Sequence, residues 1–304
     1  MYAVPNFVLT LVAARAQGLT EAIVAEAIAA LNAENLETGA PDWLAPGRAC
    51  DIPFQAASTE GLRIAVRDAI DGNRRGIDLH AGAAEGRRKK LLLADMDSTI
   101  VTGETLDELA HFAGLKEQVA SITQRAMAGE LDFEASVKER VRMLAGLDED
   151  LLKRAYERVE LTPGAECLVR TMKAQGARCV LVSGGFKYFT SRVAARVGFD
   201  ADMANDFVIE KSHLTGEVTE PVLTRHAKLD ALESEARRLG LALSETAAIG
   251  DGANDLLMIQ AAGLGAAFHG KPLVAEVAPA RIDHGDLTTL LFYQGLCRDE
   301  FVAA

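Results

Sequence analysis

Hydrophobic positions along the chain fall into three short unbroken runs, each ending on a polar or glycine-rich turn. Leu91–Ala94 stops at Asp95, Cys179–Val182 at Ser183-Gly-Gly185, and Ala247–Ile249 at Gly250-Asp-Gly252. Unbroken apolar runs of this length are expected of strands buried on both faces. Between them the pattern is helical from about Glu104 to Arg158 and again over Asn254–Ala262, and Gly263–Phe268 predicts another strand. Phe207–Glu217 alternates and predicts a hairpin turning at Leu214-Thr-Gly216. These elements predict an α/β protein on a doubly wound parallel sheet, where ligands gather at the carboxyl ends of strands.

The first third of the chain has a different rhythm. Phe7–Ala13, Ala49–Phe54 and Gly76–His80 are strand-like. Thr20 caps an alanine-rich helix to about Asn32, and Thr59–Ile70 is a second helix. This predicts a small α/β unit over residues 1–85, followed by the larger unit over 86–304. The basic run Arg87–Lys90 between them reads as a solvated linker end guarding the hydrophobic strand behind it.

Composition narrows the picture. With 304 residues, 49% hydrophobic and only 5% aromatic, the chain suits an α/β core better than an all-β sandwich. A net charge of -12 argues against nucleic-acid binding. It also repels anionic substrates, so a phosphate site must carry its own positive charge. The four scattered cysteines fit reduced thiols in the cytoplasm. Val8–Ala14 is too short and too poorly flanked for a signal peptide, and no stretch resembles a membrane span. Serine-hydrolase chemistry lacks its GxSxG, and Gly250-Asp-Gly252 lacks the third glycine of a dinucleotide site.

The chemistry candidates are the polar residues at the strand ends. Asp95 and Asp97 leave the first strand two residues apart; alone, such a pair is as well read as a turn. A carboxylate beside a divalent cation can attack phosphorus, and a second can protonate the leaving oxygen and then activate water. Ser183 with Gly184 and Gly185 offers a hydroxyl and N–H groups for a phosphoryl group. Asp251 adds a third carboxylate, and three aspartates from two strand ends repel one another without a cation. An all-oxygen site of this kind suits Mg²⁺.

Order and spacing of these pieces resemble the haloacid dehalogenase-like superfamily, from about Leu91 to the C-terminus. Asp95-x-Asp97-x-Thr99 is similar to its first motif, Ser183 to its second, Lys228 to its third and Gly250-Asp-Gly-x-Asn-Asp255 to its fourth. Lys228 earns attention from the resemblance alone, since by position it reads as a solvated lysine. Within the superfamily, Asp95-Met-Asp-Ser-Thr-Ile-Val-Thr-Gly-Glu104 and Val182-Ser-Gly-Gly-Phe186 resemble the phosphoserine phosphatases. The resemblance implies a hydrolase that splits O-phosphoserine in the last step of serine biosynthesis, through an aspartyl-phosphate. It makes Asp95 the nucleophile and Asp97 the acid/base, and Asp95, Asp97 and Asp251 the holders of Mg²⁺. Ser183, Gly184, Lys228 and Asn254 would hold the substrate, under a helical cap over about 104–160. It also allows an ACT-like N-terminal domain, with a role in serine binding, dimerisation or packing left open.

Arg140 is reached twice. Phe133, Val137, Val141 and Leu144 form one helical stripe, Arg140 falls inside it, and Lys138 and Arg142 fall opposite. A cation in an apolar stripe needs a partner, and the resemblance makes it the anchor of the substrate carboxylate. Glu104 is its counterpart for the ammonium, or else an ordinary charge at a helix start. Met127 and Phe133 either line the cap or pack its core. The alternatives are a phosphatase or phosphotransferase for another small phosphorylated metabolite, and an amino-acid sensor with a vestigial site.

Overall fold

The structure, a computed structural model, describes residues 5–127, 131–223 and 225–303, excluding the side chains at 120, 123, 124, 126, 127, 133 and 225. Strand β1 (Phe7–Ala13) is buried on both faces. Leu9, Leu11 and Ala13 enter a local core, whereas Val12 enters the main one. The Thr20 hydroxyl accepts from Ile23 N at 3.3 Å and starts α1 (Glu21–Ala33). β2 (Glu37–Thr38), β3 (Asp42–Ala45), β4 (Ala49–Gln55), α2 (Leu62–Ala69), α3 (Gly72–Arg75) and β5 (Ile77–Ala83) follow. The sheet is antiparallel in the order β2-β4-β1-β5, with β3 also on β4. This is the split β-α-β pattern of ferredoxin-like units. β2 and β3 have no apolar alternation to announce them: Glu37 and Asp42 are exposed.

The basic run is solvated at Arg88 and Lys90, as expected, but not at Arg87. Arg87 turns inward and donates to Asp51 Oδ2 at 2.5 Å, to Thr10 Oγ1 at 2.9 Å and to Phe292 O at 3.3 Å. Lys90 pairs with Glu245 at 2.7 Å, and Arg88 with Glu300 at 2.8 Å. Arg87 thus staples the two parts of the chain together, while Arg88 and Lys90 pair within the larger one.

From β6 (Leu91–Ala94) the chain enters four helices, α4 (Thr105–Phe112), α5 (Lys116–Met127), α6 (Phe133–Arg142) and α7 (Asp150–Tyr156). It returns through α8 (Ala165–Ala174), β7 (Arg178–Phe186), α9 (Lys187–Val197) and β8 (Ala201–Asn205). A hairpin of β9 (Phe207–Glu210) and β10 (His213–Val218) precedes α10 (Arg225–Leu239), β11 (Thr246–Gly250), α11 (Leu256–Ala261) and β12 (Leu264–Phe268). α12 (Pro272–Val277), β13 (Ala280–Ile282) and α13 (Thr289–Tyr293) complete it. The sheet is parallel throughout, in the order β13-β12-β11-β6-β7-β8. Leu91, Leu92 and Leu93 are each fully buried, which stabilises the central strand by about 1.5–3 kcal/mol per side chain. The strand order reverses between β6 and β11, the switch point where such sheets bind ligands.

The hairpin turns elsewhere than its sequence suggests. Lys211 and Ser212 both have positive φ, 47° and 63°, and make the tight turn. Gly216, φ 85°, instead serves the irregularity between Leu214 and Val218. The hairpin then braces the helical insertion: Gly146 N donates to Leu214 O at 2.8 Å, and Leu214 N to Leu147 O at 2.9 Å. Among the described residues no helix is long and apolar enough to cross a membrane.

Candidate active site

Three strand ends build the site. After β6 the chain passes through Asp97, which is extended, and Ser98, held at φ 55°. A positive φ on serine bends the chain sharply back toward the sheet. Ser98 N donates to Gly103 O at 3.1 Å and its hydroxyl to Glu104 Oε1 at 2.9 Å. The bend brings Asp95 and Asp97 to one cavity of about 150 Å³, which Glu104, Arg140, Ser183, Gly184, Asp251 and Asn254 also line. Of the expected catalytic, metal and substrate residues, all among the described residues, Lys228 alone is absent from that lining. It lies beneath the cavity, only 3% exposed, and donates to Asp95 Oδ1 at 2.6 Å and to Asp255 Oδ1 at 2.5 Å.

Asp255 is the principal residue that sequence reasoning left without a role. Although part of the fourth motif, it looks like a helix-start aspartate. In the structure it is fully buried, and Gly252 N donates to its Oδ2 at 3.0 Å. Asp95, Asp251 and Asp255 each offer an oxygen within 4.8 Å of the others, an arrangement suited to a cation. Asp97 does not bring its carboxylate to that group. Its Oδ1 accepts from Thr105 N at 2.7 Å and its Oδ2 from the Ser183 hydroxyl at 3.2 Å. Ser183 in turn accepts from Gly185 N at 2.8 Å. Asn205 fixes the same turn by donating to Gly184 O at 2.8 Å, and it accepts from Leu223 N at 2.7 Å.

Glycine is required where these groups crowd. A Cβ on Gly250 would lie 2.5 Å from Asp255 Oδ2, and one on Gly185 3.0 Å from both Asp97 Oδ2 and Ser183 Oγ. We expect Gly250→Ala to push Asp255 off Lys228 and lower kcat roughly 10²-fold, the usual effect of a displacement near 1 Å. Circular dichroism and steady-state rates on the purified variant would check this.

Electrostatics here are one-sided. Burial, and then Asp255, push the Asp95 carboxyl well above the ordinary carboxylate range. Burial raises Asp97 and Asp251 as well. Burial opposes the Lys228 charge, yet Asp255 and Asp95 outweigh it and hold the ammonium above the usual lysine range. Lys271 joins from the rim, 3.1 Å from Asp251 Oδ2, another contact unannounced by sequence. Four carboxylates against one buried and one exposed cation leave an excess of negative charge that a divalent cation would neutralise.

The opposite wall carries the other two predicted residues. Val137, Val141 and Leu144 of the α6 stripe are buried, and Arg140 faces the cavity among them. Its Nε donates to Ser136 O at 3.3 Å, and among the described residues no carboxylate pairs with it. Lys138 instead pairs with Glu134 at 2.7 Å on the far side, and Arg142 is exposed. Glu104 occupies the N-cap position of α4 without a capping bond; its carboxylate lines the cavity, with Oε1 accepting from the Ser98 hydroxyl. Burial among protein atoms, then Asp97, raises it to about 7, although the side chain opens to solvent at the cavity mouth. The side chains of Met127 and Phe133 lie outside the described residues.

The family model for haloacid dehalogenase-like hydrolases matches residues 92–260, which span every strand end of the site. The chain belongs to that family. A phosphoserine phosphatase of Streptomyces coelicolor is 40% identical over 290 residues, covering 93% of this chain and 70% of the relative. The chain spans only 60% and 59% of the length of two further relatives so named, from Mycobacterium tuberculosis and Archaeoglobus fulgidus. Among solved structures, a HAD family hydrolase of Salmonella enterica serovar Typhi aligns with 97% of this chain and 99% of its own, at TM-score 0.81 and 29% identity. Fold class, family and phosphatase class are thus as the motifs predict.

Proposed function

We propose that the chain hydrolyses O-phosphoserine to serine and phosphate through a phosphoaspartate on Asp95. The observation that carries the substrate is that Arg140 and Glu104 line the same cavity as Asp95 and Asp97. A zwitterionic amino acid satisfies both, whereas a sugar phosphate leaves a charged group without its partner. The names of the relatives point the same way.

Lys228 occupies Asp95 Oδ1 and leaves Oδ2 for attack on phosphorus. As the P–O bond to serine breaks, Asp97 gives its proton to the leaving oxygen; its pKa, raised by burial, suits it to carry one. Asp97 then takes a proton from water, whose oxygen attacks phosphorus as the bond to Asp95 Oδ2 breaks, releasing phosphate and restoring the Asp95 carboxylate. Ser183 and the Gly184 turn hold the phosphoryl oxygens, with Asn254 beside them and Lys228 beneath. Asp95, Asp251 and Asp255 have the oxygen chemistry for Mg²⁺. When bound, Mg²⁺ supplies charge neutralisation at the phosphoryl oxygens. The reading places the reaction at the last step of serine biosynthesis, in the cytoplasm.

Arg140→Ala should lower kcat/KM for phosphoserine about 30- to 150-fold, chiefly through KM, as loss of a charged hydrogen-bonded pair does. Hydrolysis of p-nitrophenyl phosphate, which has no carboxylate, should be unchanged. Equal losses on both substrates would remove the carboxylate assignment, and equal turnover of phosphoserine and sugar phosphates by the parent enzyme would favour another metabolite.

Glu104 gives the pH dependence. Below about 7 it takes up a proton and no longer attracts the substrate ammonium, so KM should rise as pH falls through that value. Phosphate titration affects all variants alike; the limb that disappears in Glu104→Gln belongs to Glu104.

A further inference from the structure

We propose that Asp78, on the N-terminal sheet, is a positioning residue for Asp251; this rests on the reading of Asp251 as a metal ligand. Asp78 belongs to β5 and is 3% exposed, yet it makes its bonds to the other part of the chain. Its Oδ1 accepts from Asp283 N at 2.8 Å and its Oδ2 from Gly285 N at 2.7 Å, with His284 N at 3.1 Å. One buried carboxylate therefore fixes three successive N–H groups just after β13. A charge-assisted grip of this kind is among the stronger hydrogen-bonded arrangements. Gly285 suits this turn, because a Cβ there would press on Thr289 Oγ1 and lie 3.0 Å from Asp78 Oδ2.

The gripped loop holds a second one. His269 Nε2 donates to Gly285 O at 3.0 Å, and His269 N to Ile282 O at 2.8 Å. His269 has φ 43°, a backbone conformation that persists only where the surroundings impose it. Two residues on, Lys271 N donates to Asp251 O at 2.9 Å and Lys271 Nζ to Asp251 Oδ2 at 3.1 Å. Asp251, Lys271, His269 and Gly285 also line one cleft, which Ala14 of the N-terminal part borders. The contacts run without a break from Asp78 to both ends of Asp251. Groups outside a ligand shell set metal affinity by orienting the ligand, and here the orienting group comes from the N-terminal sheet.

The test is Mg²⁺ titration calorimetry on the full chain, comparing the parent protein with Asp78→Asn, His269→Ala and Asp251→Asn. Asp78→Asn retains one acceptor for three donors, and its dissociation constant for Mg²⁺ should rise about tenfold, the low end for orienting partners. At saturating Mg²⁺ its kcat should stay within about twofold of the parent, since no group touching substrate has changed. His269→Ala cuts the second link without touching the N-terminal sheet and should shift affinity in the same direction. It decides the matter alone if Asp78→Asn does not fold. Parent-like Mg²⁺ affinity in either folded variant, alongside weakened binding in Asp251→Asn, overturns the positioning role only. Parent-like affinity in Asp251→Asn overturns the metal reading and this proposal with it.

Discussion

Asp95→Asn should leave a folded protein whose phosphoserine turnover falls by at least about 10⁴-fold, the scale on which loss of a catalytic nucleophile acts. The amide is nearly isosteric and its oxygen still accepts from Lys228, so the packing around it survives. What disappears is the attacking oxygen. Stability should move the other way in the absence of divalent ions. The Asp95 carboxyl is raised in the folded state by burial and by Asp255, so its ionisation opposes folding above the unfolded carboxylate range. Asn removes that cost. The variant should be the more stable protein at neutral pH, and the difference should vanish as pH falls toward about 4, where Asp95 is protonated in both states. Denaturant midpoints across pH, beside a rate assay, test both halves. Residual turnover near the parent level would end the role of Asp95.

Lys228→Met has the largest expected effect on the fold. The ammonium lies between two carboxylates that are 4% and 0% exposed, and methionine fills its volume without its charge. Removing one partner of a buried ion pair costs about 3–5 kcal/mol. Since the residual cost is repulsion between ionised acids, it should shrink as pH falls and they take up protons. Mg²⁺ should also restore stability by supplying the lost positive charge. Activity should remain depressed about 10²- to 10³-fold even when Mg²⁺ restores folding, as expected for a missing charge stabiliser. A destabilisation insensitive to both pH and Mg²⁺ would mean that Lys228 acts through packing alone.

The parts legible in sequence are those whose physics is local. A strand covered on both faces must be apolar throughout, so β6, β7 and β11 announce themselves, and the residue that ends each one is a candidate by position. Arg140 is legible because a cation breaks an apolar stripe on its own helix. Lys228 is not legible from position: its partner Asp95 is 133 residues away, and only the fold brings them together. The same holds for Arg87, which reads as one of four solvated charges until Asp51 and the carbonyls of α13 meet it. Asp255 is hidden by its resemblance to a helix-start residue, and its burial comes from packing against Gly250 and Lys228. The edge strands β2 and β3 are too short and too exposed to carry a period.

The stem of the helical insertion has a further consequence. The chain leaves the sheet and returns to it at neighbouring points, where Val101 bridges Leu161 and Thr162 N donates to Ile100 O at 2.9 Å. Closing a loop whose ends already meet costs little more when it is lengthened, about 0.6 kcal/mol per doubling. The segment bearing Arg140 can therefore be rewritten, extended or exchanged while the strand ends that carry Asp95 and Asp251 remain undisturbed. On the proposed function, choice of substrate and cleavage of the phosphate ester would sit on separable pieces of one chain, so that the first can change while the second stays fixed.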